Sequence, residues 1–114
     1  MSAFQPLTQH DFHHTLADTP GVALVLFTGP HCSSCRAWRE RLAAMTGADG
    51  DWRLFEVDVE RDTGLAREFE VFHLPALFVY LDGEFHGELQ CEARPAAIRA
   101  AVAALLQRPA QEAP

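Results

Sequence analysis

The chain has 114 residues, with 9 basic residues against 16 acidic ones and a net charge of −7. This length suits one domain with one hydrophobic core, and 48% hydrophobic content argues against intrinsic disorder. The acidic balance argues against nucleic-acid binding, and the absence of lysine excludes a Walker-type phosphate lysine and Schiff-base chemistry. The apolar runs, such as residues 22–27, are too short to cross a membrane, and the N-terminal residues lack a signal-peptide pattern. A cytoplasmic protein with no membrane partner is therefore expected.

The apolar residues recur with periods that distinguish strands from helices along the chain. Residues 22–27 are continuously apolar, which predicts a central strand buried on both faces. Trp38, Leu42 and Met45 recur at helical spacing, and Asp82-Gly83 predicts a hairpin turn. The predicted elements, in chain order, are a strand at 4–7, a helix from Thr8, a strand at 22–27, a helix at 33–45, a strand at 53–59, a helix at 62–70, strands at 76–81 and 85–89, and a helix from Pro95.

The order β-α-β-α-β-α-β-β-α predicts an α/β fold with a central mixed sheet of about five strands flanked by about four helices. Alternating strands and helices indicate parallel strands sandwiched by helices, and the final hairpin adds an antiparallel pair. One domain at residues 1–107 accounts for all predicted elements. Residues 108–114 are predicted to form a disordered C-terminal tail.

Two of the three cysteines, Cys32 and Cys35, form a C-x-x-C where the second strand ends and the next helix begins. The positive end of the helix dipole favours a thiolate at Cys32, and the two-residue spacer brings Cys35 within disulfide reach. This predicts attack by Cys32 on a substrate disulfide, followed by release through Cys35. Structural zinc and an inert buried pair are the alternatives, but zinc lacks a second pair of ligands here. His10 and His14 have a spacing that can bind metal, yet exposed helix positions explain them more simply, so no metal or cofactor is expected.

Four segments match one known family: F-T-G-P-H-C-S-S-C at residues 27–35, F-E-V-D-V at 55–59, H-L-P-A-L at 73–77 and D-G-E at 82–84. On these segments the chain resembles the thioredoxins, from about residue 4 to residue 106. The resemblance implies the thioredoxin fold and a monomeric thiol–disulfide oxidoreductase, most simply a disulfide reductase. Its implied partners are protein disulfides, with thioredoxin reductase as a candidate electron donor.

The resemblance also implies a substrate surface around the cysteines. Leu74 and a cis-bonded Pro75 would form one wall of a groove, next to His73. Ser33 and Ser34 replace the family's Gly-Pro spacer, which should change the reduction potential.

Two further residues of this surface each have two interpretations. His31 either stabilises the Cys32 thiolate when protonated or is an uncoupled loop histidine. Cys91 should lie within about 10 Å of Cys32. It either captures mixed disulfides or is a small, half-buried residue.

One departure from the family concerns acid–base chemistry. Thioredoxins bury an acid at the position of Leu26, where it helps to deprotonate the deeper cysteine, and keep a lysine at the position of Glu56. An acid has thus been lost from one strand and has appeared on its neighbour. We expect Glu56 to act as the base for Cys35; the alternative is a surface acid beside Asp58.

Two functional hypotheses remain at this stage. The first is a redox enzyme with Cys32 and Cys35 as its reactive pair. The second is a redox-inactive or weakly active thioredoxin-like module that holds a protein partner in the Leu74-Pro75 groove. Cysteine-dependent reduction of insulin separates them.

Overall fold

A computed structural model describes residues 3–45 and 52–114 of the chain. These residues form the predicted α/β arrangement of a five-stranded mixed sheet with four helices. The elements are β1 (Phe4–Pro6), α1 (Phe12–Ala17), β2 (Val22–Thr28), α2 (Ser33–Met45), β3 (Arg53–Asp58), α3 (Thr63–Glu68), β4 (Ala76–Leu81), β5 (Glu84–Leu89) and α4 (Pro95–Gln107).

The first helix begins later than its sequence predicts. Residues 9–11 form a turn, and α1 starts at Phe12 rather than Thr8. The Asp11 side chain accepts a hydrogen bond from the Thr8 backbone N–H at 2.7 Å. The expected Thr8–Asp11 contact therefore forms, but it closes the turn that precedes the helix.

The strand order is β1-β3-β2-β4-β5, with β2 at the centre of the sheet. β1, β3 and β2 are parallel, whereas β4 runs antiparallel to β2 and β5 antiparallel to β4. The alternating elements had implied a parallel β4, which is wrong. α3 has only six residues, about 9 Å of helix, so it does not carry the chain back across the sheet. β4 therefore starts at the edge where β2 ends, with Ala76 opposite Phe27.

Two apolar clusters cover the two faces of the sheet, and β2 contributes to both. Leu24 and Leu26 pack with α2 and α4, while Val25 and Phe27 pack with α1 and α3. All four side chains are 0% exposed, as the prediction of a strand buried on both faces requires. β2 is thus a buried central strand, and residues 29–31 connect its end to the C-x-x-C.

The C-terminal residues contact β5. His86 is buried, and its Nε2 faces the carbonyl oxygens of Leu105 and Arg108 at 2.8 and 3.0 Å, so this nitrogen donates to the end of α4. The Gln111 N–H donates to the His86 carbonyl at 2.7 Å, and its side-chain oxygen accepts from the Glu88 N–H. The predicted tail is exposed throughout but held to the sheet at Gln111.

No helix in the described part of the chain is long and apolar enough to span a membrane.

Candidate functional site

The C-x-x-C lies at the junction between β2 and α2. β2 ends at Thr28, and α2 begins at Ser33, so the turn between them is short. His31 in this turn is exposed and has a φ of 61°, a left-handed conformation that redirects the chain into the helix. Cys32 directly precedes α2, and Cys35 is in its first turn.

The two cysteines form a disulfide, with their Cα atoms 5.3 Å apart. Their exposure differs: Cys32 is half-buried, whereas Cys35 is only 1% exposed. An external thiol or disulfide therefore reaches Cys32 first, and Cys35 is accessible mainly to Cys32. This asymmetry matches a nucleophile and a resolving thiol.

Hydrogen-bond donors at the start of α2 are directed at Cys32. The Cys35 N–H donates to the Cys32 Sγ at 3.2 Å, and the Ser34 Oγ lies 3.8 Å from the same sulfur. The Arg36 N–H donates to the Cys32 carbonyl at 3.3 Å. After reduction, the Cys35 N–H, the Ser34 hydroxyl and the helix dipole can stabilise negative charge on the Cys32 sulfur, whereas the Arg36 N–H only closes the first helical turn.

Glu56 is the acidic residue of the next strand, and it is held by two side chains. It pairs in register with Leu26 of β2, and its side chain is 23% exposed. Its Oε2 accepts a hydrogen bond from the Thr28 hydroxyl at 2.7 Å and another from Arg39 Nη2. Its Oε1 accepts from Arg39 Nε at 3.3 Å. Asp58 instead accepts from the backbone N–H groups of residues 60 and 61.

The hydrogen bonds to Glu56 raise the pKa of Arg39, although partial burial opposes this effect. Neither Arg39 nor Thr28 is among the site residues predicted from the sequence. A local signal for Arg39 exists, because it lies four residues after Cys35 and hence on the same side of α2.

A groove of about 380 Å³ lies beside the predicted substrate surface. It brings together three predicted residues, His73, Pro75 and Cys91, and the Leu74–Pro75 bond is cis. Phe72, to which the sequence assigned no role, also lines it and is 84% exposed.

The other predicted surface residues do not line this groove. His31, Ser33 and Ser34 are exposed around the cysteines. Leu74 points elsewhere: its Cδ1 lies 2.8 Å from where a Cβ on Gly29 would be, so the Leu74 loop packs tightly against the turn before Cys32. The groove and the cysteines are thus joined through this loop.

Cys91 is half-buried and packs against the cluster that contains Trp38. Burial raises the pKa of the Cys91 thiol, and the charge of Glu92 raises it further. A protonated thiol is a weak nucleophile, which favours the interpretation of Cys91 as a small, half-buried residue. Its proximity to Cys32 stays a prediction.

The remaining histidines form no metal site in the described ranges, where no group of three or more His, Cys, Asp or Glu side chains could hold an ion. His10 and His14 are both exposed on or near α1. His13 instead lies 2.8 Å from a carboxylate oxygen of Glu68.

Comparisons with known proteins agree with this architecture. The family model described as Thioredoxin matches residues 3–104. Thioredoxin from Staphylococcus epidermidis is 31% identical over 83 residues, covering 72% of this chain and 78% of the relative. Protein disulfide-isomerase A3 from Gallus gallus is 35% identical over 82 residues, covering 71% of this chain. The chain spans only 16% of that relative and 18% of the probable protein disulfide-isomerase ER-60 of Schistosoma mansoni.

Solved structures share the fold. Mitochondrial thioredoxin 3 from Saccharomyces cerevisiae, in its oxidised form, superimposes with a TM-score of 0.73 at 21% identity. That match covers 93% of this chain and 96% of the other. Thioredoxin from Trypanosoma brucei brucei gives a TM-score of 0.74 at 13% identity, covering 92% of both chains. The family model matches residues 3–104, and the C-x-x-C lies at the start of α2. The chain therefore belongs to the thioredoxin family.

Proposed function

We propose that this protein is a thiol–disulfide oxidoreductase that reduces protein disulfides, with Cys32 as the nucleophile and Cys35 as the resolving thiol. The observation that carries the proposal is the Cys32–Cys35 disulfide at the start of α2, with one accessible and one buried cysteine. The relatives named thioredoxin and protein disulfide-isomerase support the same chemistry.

The reaction transfers two electrons from the reduced protein to its substrate. The Cys32 thiolate attacks one sulfur of the substrate disulfide, and the other sulfur leaves as a thiolate that takes a proton. Cys35 then loses its proton, and its sulfur attacks the Cys32 sulfur of the mixed disulfide. The bond between Cys32 and the substrate breaks, the second substrate thiolate leaves and takes a proton, and the Cys32–Cys35 disulfide forms. An external dithiol or thioredoxin reductase then restores the two thiols.

Glu56 is the proposed acceptor of the Cys35 proton. Two observations support this role: Glu56 is a half-buried acid, and its Arg39 partner lies one helical turn after Cys35. Its two oxygens accept hydrogen bonds from Thr28 and Arg39, which fix the orientation of the carboxylate.

The proposed substrate surface runs from the exposed residues beside Cys32 to the adjoining groove. His31, Ser33 and Ser34 surround the reactive sulfur, and Leu74-Pro75 connects it to the groove. His73 and Cys91 lie farther along, and extended protein segments are the substrates that such a surface suits. The proposed setting is a monomer in the cytoplasm, since a lone third cysteine suits a reducing compartment.

The test is insulin reduction by wild type, Cys32→Ser and Cys91→Ser, with dithiothreitol or with thioredoxin reductase and its nucleotide. We expect turnover in wild type and Cys91→Ser and none above background in Cys32→Ser. Absence of cysteine-dependent turnover with both reductants would leave a binding module instead. The reduction potential of the Cys32–Cys35 pair then decides the direction: a value near those of reducing thioredoxins supports a reductase, and a much higher one an oxidant.

A further inference from the structure

We propose that Arg39 is a positioning residue for this reaction, which holds the Glu56 carboxylate in one orientation from the helix that carries Cys35. This inference rests on the proposed function. It assigns the cation of the site to α2, whereas the family resemblance alone places a cation on the strand, where Glu56 stands.

The contacts define one geometry for the Glu56 side chain. Arg39 donates from Nε to one carboxylate oxygen and from Nη2 to the other, while Thr28 fixes the second oxygen from β2. Such a two-point contact fixes the plane of the carboxylate as well as its distance, which a lysine ammonium does not do. Three donors from two elements therefore leave Glu56 little rotational freedom.

The helix couples this contact to the resolving cysteine. Cys35 and Arg39 are separated by four residues, so their side chains lie on the same side of α2, about 5–6 Å apart at Cβ. Arg39 is 40% exposed, which fits a side chain that passes along the edge of the buried stripe to reach β3. Any shift of the first turns of α2 therefore moves the guanidinium together with Cys35.

The charges around Glu56 explain why a cation is needed. Asp58 lies two residues farther along β3 on the same face, and β2 contributes the neutral Thr28. α2 contributes Arg39 and, one turn earlier, Cys35. On β1, Pro6 is the register partner and carries no charge. Two carboxylates on one face of a strand repel each other, and Arg39 is the cation that contacts Glu56.

A proton acceptor is useful only when it is held in the right place, so loss of Arg39 should slow the resolving step. The test measures thiol release from a preformed mixed disulfide at Cys32 between pH 5 and 9, by stopped flow. Arg39→Met keeps the apolar stem and removes the charge. We expect its rate of thiol release to fall about two- to fivefold, the range of a half-exposed ion pair. Arg39→Lys should recover part of the loss.

Two controls isolate the positioning role. Arg41→Met removes an equal charge from the same helix, where Arg41 donates to the Ala93 carbonyl and not to Glu56, and should leave the rate of the resolving step unchanged. In a Glu56→Gln background, Arg39→Met should have no further effect on the profile, because the group that it positions is gone. An equal loss of rate in Arg41→Met would indicate a general field effect and would overturn the inference.

Failure of this inference differs from failure of the proposed function. If wild type shows no Cys32-dependent turnover, the proposed function itself is wrong. If turnover is present and the Arg39→Met profile matches wild type, only the role of Arg39 is wrong. Thermal unfolding of each variant identifies folding defects, and Arg39→Lys still decides the question if Arg39→Met does not fold.

Discussion

Phe72→Ala is expected to weaken reduction of protein substrates without lowering the stability of the fold. Phe72 is 84% exposed, although it lies at the edge of a groove that also includes Pro75 and Cys91. Large exposed aromatic side chains are uncommon unless they bind something. Its ring is therefore available to be covered by a bound substrate segment.

The size of the effect follows from the area that a substrate covers. A phenylalanine side chain buries about 200 Å² of accessible surface when fully covered, and most of that surface of Phe72 is exposed. A peptide lying along one side of the ring covers roughly a third of it, or about 55 Å². At about 25 cal/mol per Å² this contributes about 1.4 kcal/mol, which corresponds to about a tenfold loss in kcat/KM.

The assay compares kcat/KM for insulin and for a small aromatic disulfide too short to reach the groove. Phe72→Ala should lose activity on insulin and keep it on the small disulfide, with a melting temperature within about 3 °C of wild type. Phe69→Ala is the matched control, since Phe69 lines the same groove but is only 6% exposed. It should lose about 3–5 kcal/mol of unfolding free energy. Equal activity of Phe72→Ala and wild type on insulin, or equal losses on both substrates, would refute the reasoning.

Three further outcomes are expected. Cys35→Ser should accumulate a mixed disulfide with its substrate, visible by mass spectrometry, because Cys32 attacks the substrate and no resolving thiol then releases it. Absence of the mixed disulfide would contradict the assigned roles. In the oxidised protein, alkylation of Cys91 by iodoacetamide should be slower at pH 7.5 than that of a peptide cysteine and should keep rising above pH 8.5, since burial and then Glu92 raise the pKa of the thiol; a peptide-like rate would contradict this. Gly83→Ala should lower the unfolding free energy in urea by at least 1 kcal/mol more than Gly21→Ala. Both glycines have positive φ, but only at Gly83 does the added Cβ lie 2.4 Å from a carbonyl oxygen of α1, so equal losses would be inconsistent with the clash.

The elements of the fold were predictable wherever the signal is local. The apolar run of β2 and the helical spacing of Trp38, Leu42 and Met45 predict their elements correctly, because burial by neighbours imposes these periods. The direction of β4 was not predictable in this way. It depends on the length of the connection between β3 and β4, and residues 62–70 contain a helical pattern that looks long enough for a crossover but yields only Thr63–Glu68.

In the candidate site, too, local features were predictable from the sequence and long-range contacts were not. The C-x-x-C and its position before α2 follow from a spacing of three residues and the end of an apolar strand. The contact between Arg39 and Glu56 joins residues 17 positions apart on different elements. It depends on the register of β2 against β3 and on the rotation of α2 over the sheet. Neither the register nor the rotation can be inferred from a single sequence. Glu56 was therefore identified as a candidate, whereas Arg39 and Thr28, which hold it, were not.

The register of β2 and β3 also explains why an acid at position 56 of β3 lies on the same face of the sheet as one at position 26 of β2. Leu26 and Glu56 are direct partners, so their Cα atoms are separated by about one interstrand spacing of 4.8 Å. Replacing an acid at Leu26 by one at Glu56 therefore displaces the carboxylate sideways, and Glu56 occupies the place of the family's strand cation. A cation then approaches from another element, and in a chain without lysine an arginine is the side chain that supplies a permanent positive charge. Position 39 of α2 satisfies both conditions, because it lies one turn after Cys35 and reaches β3. The acid on β3 and the arginine on α2 thus form one pair, and variants that alter either of them should be less active than wild type.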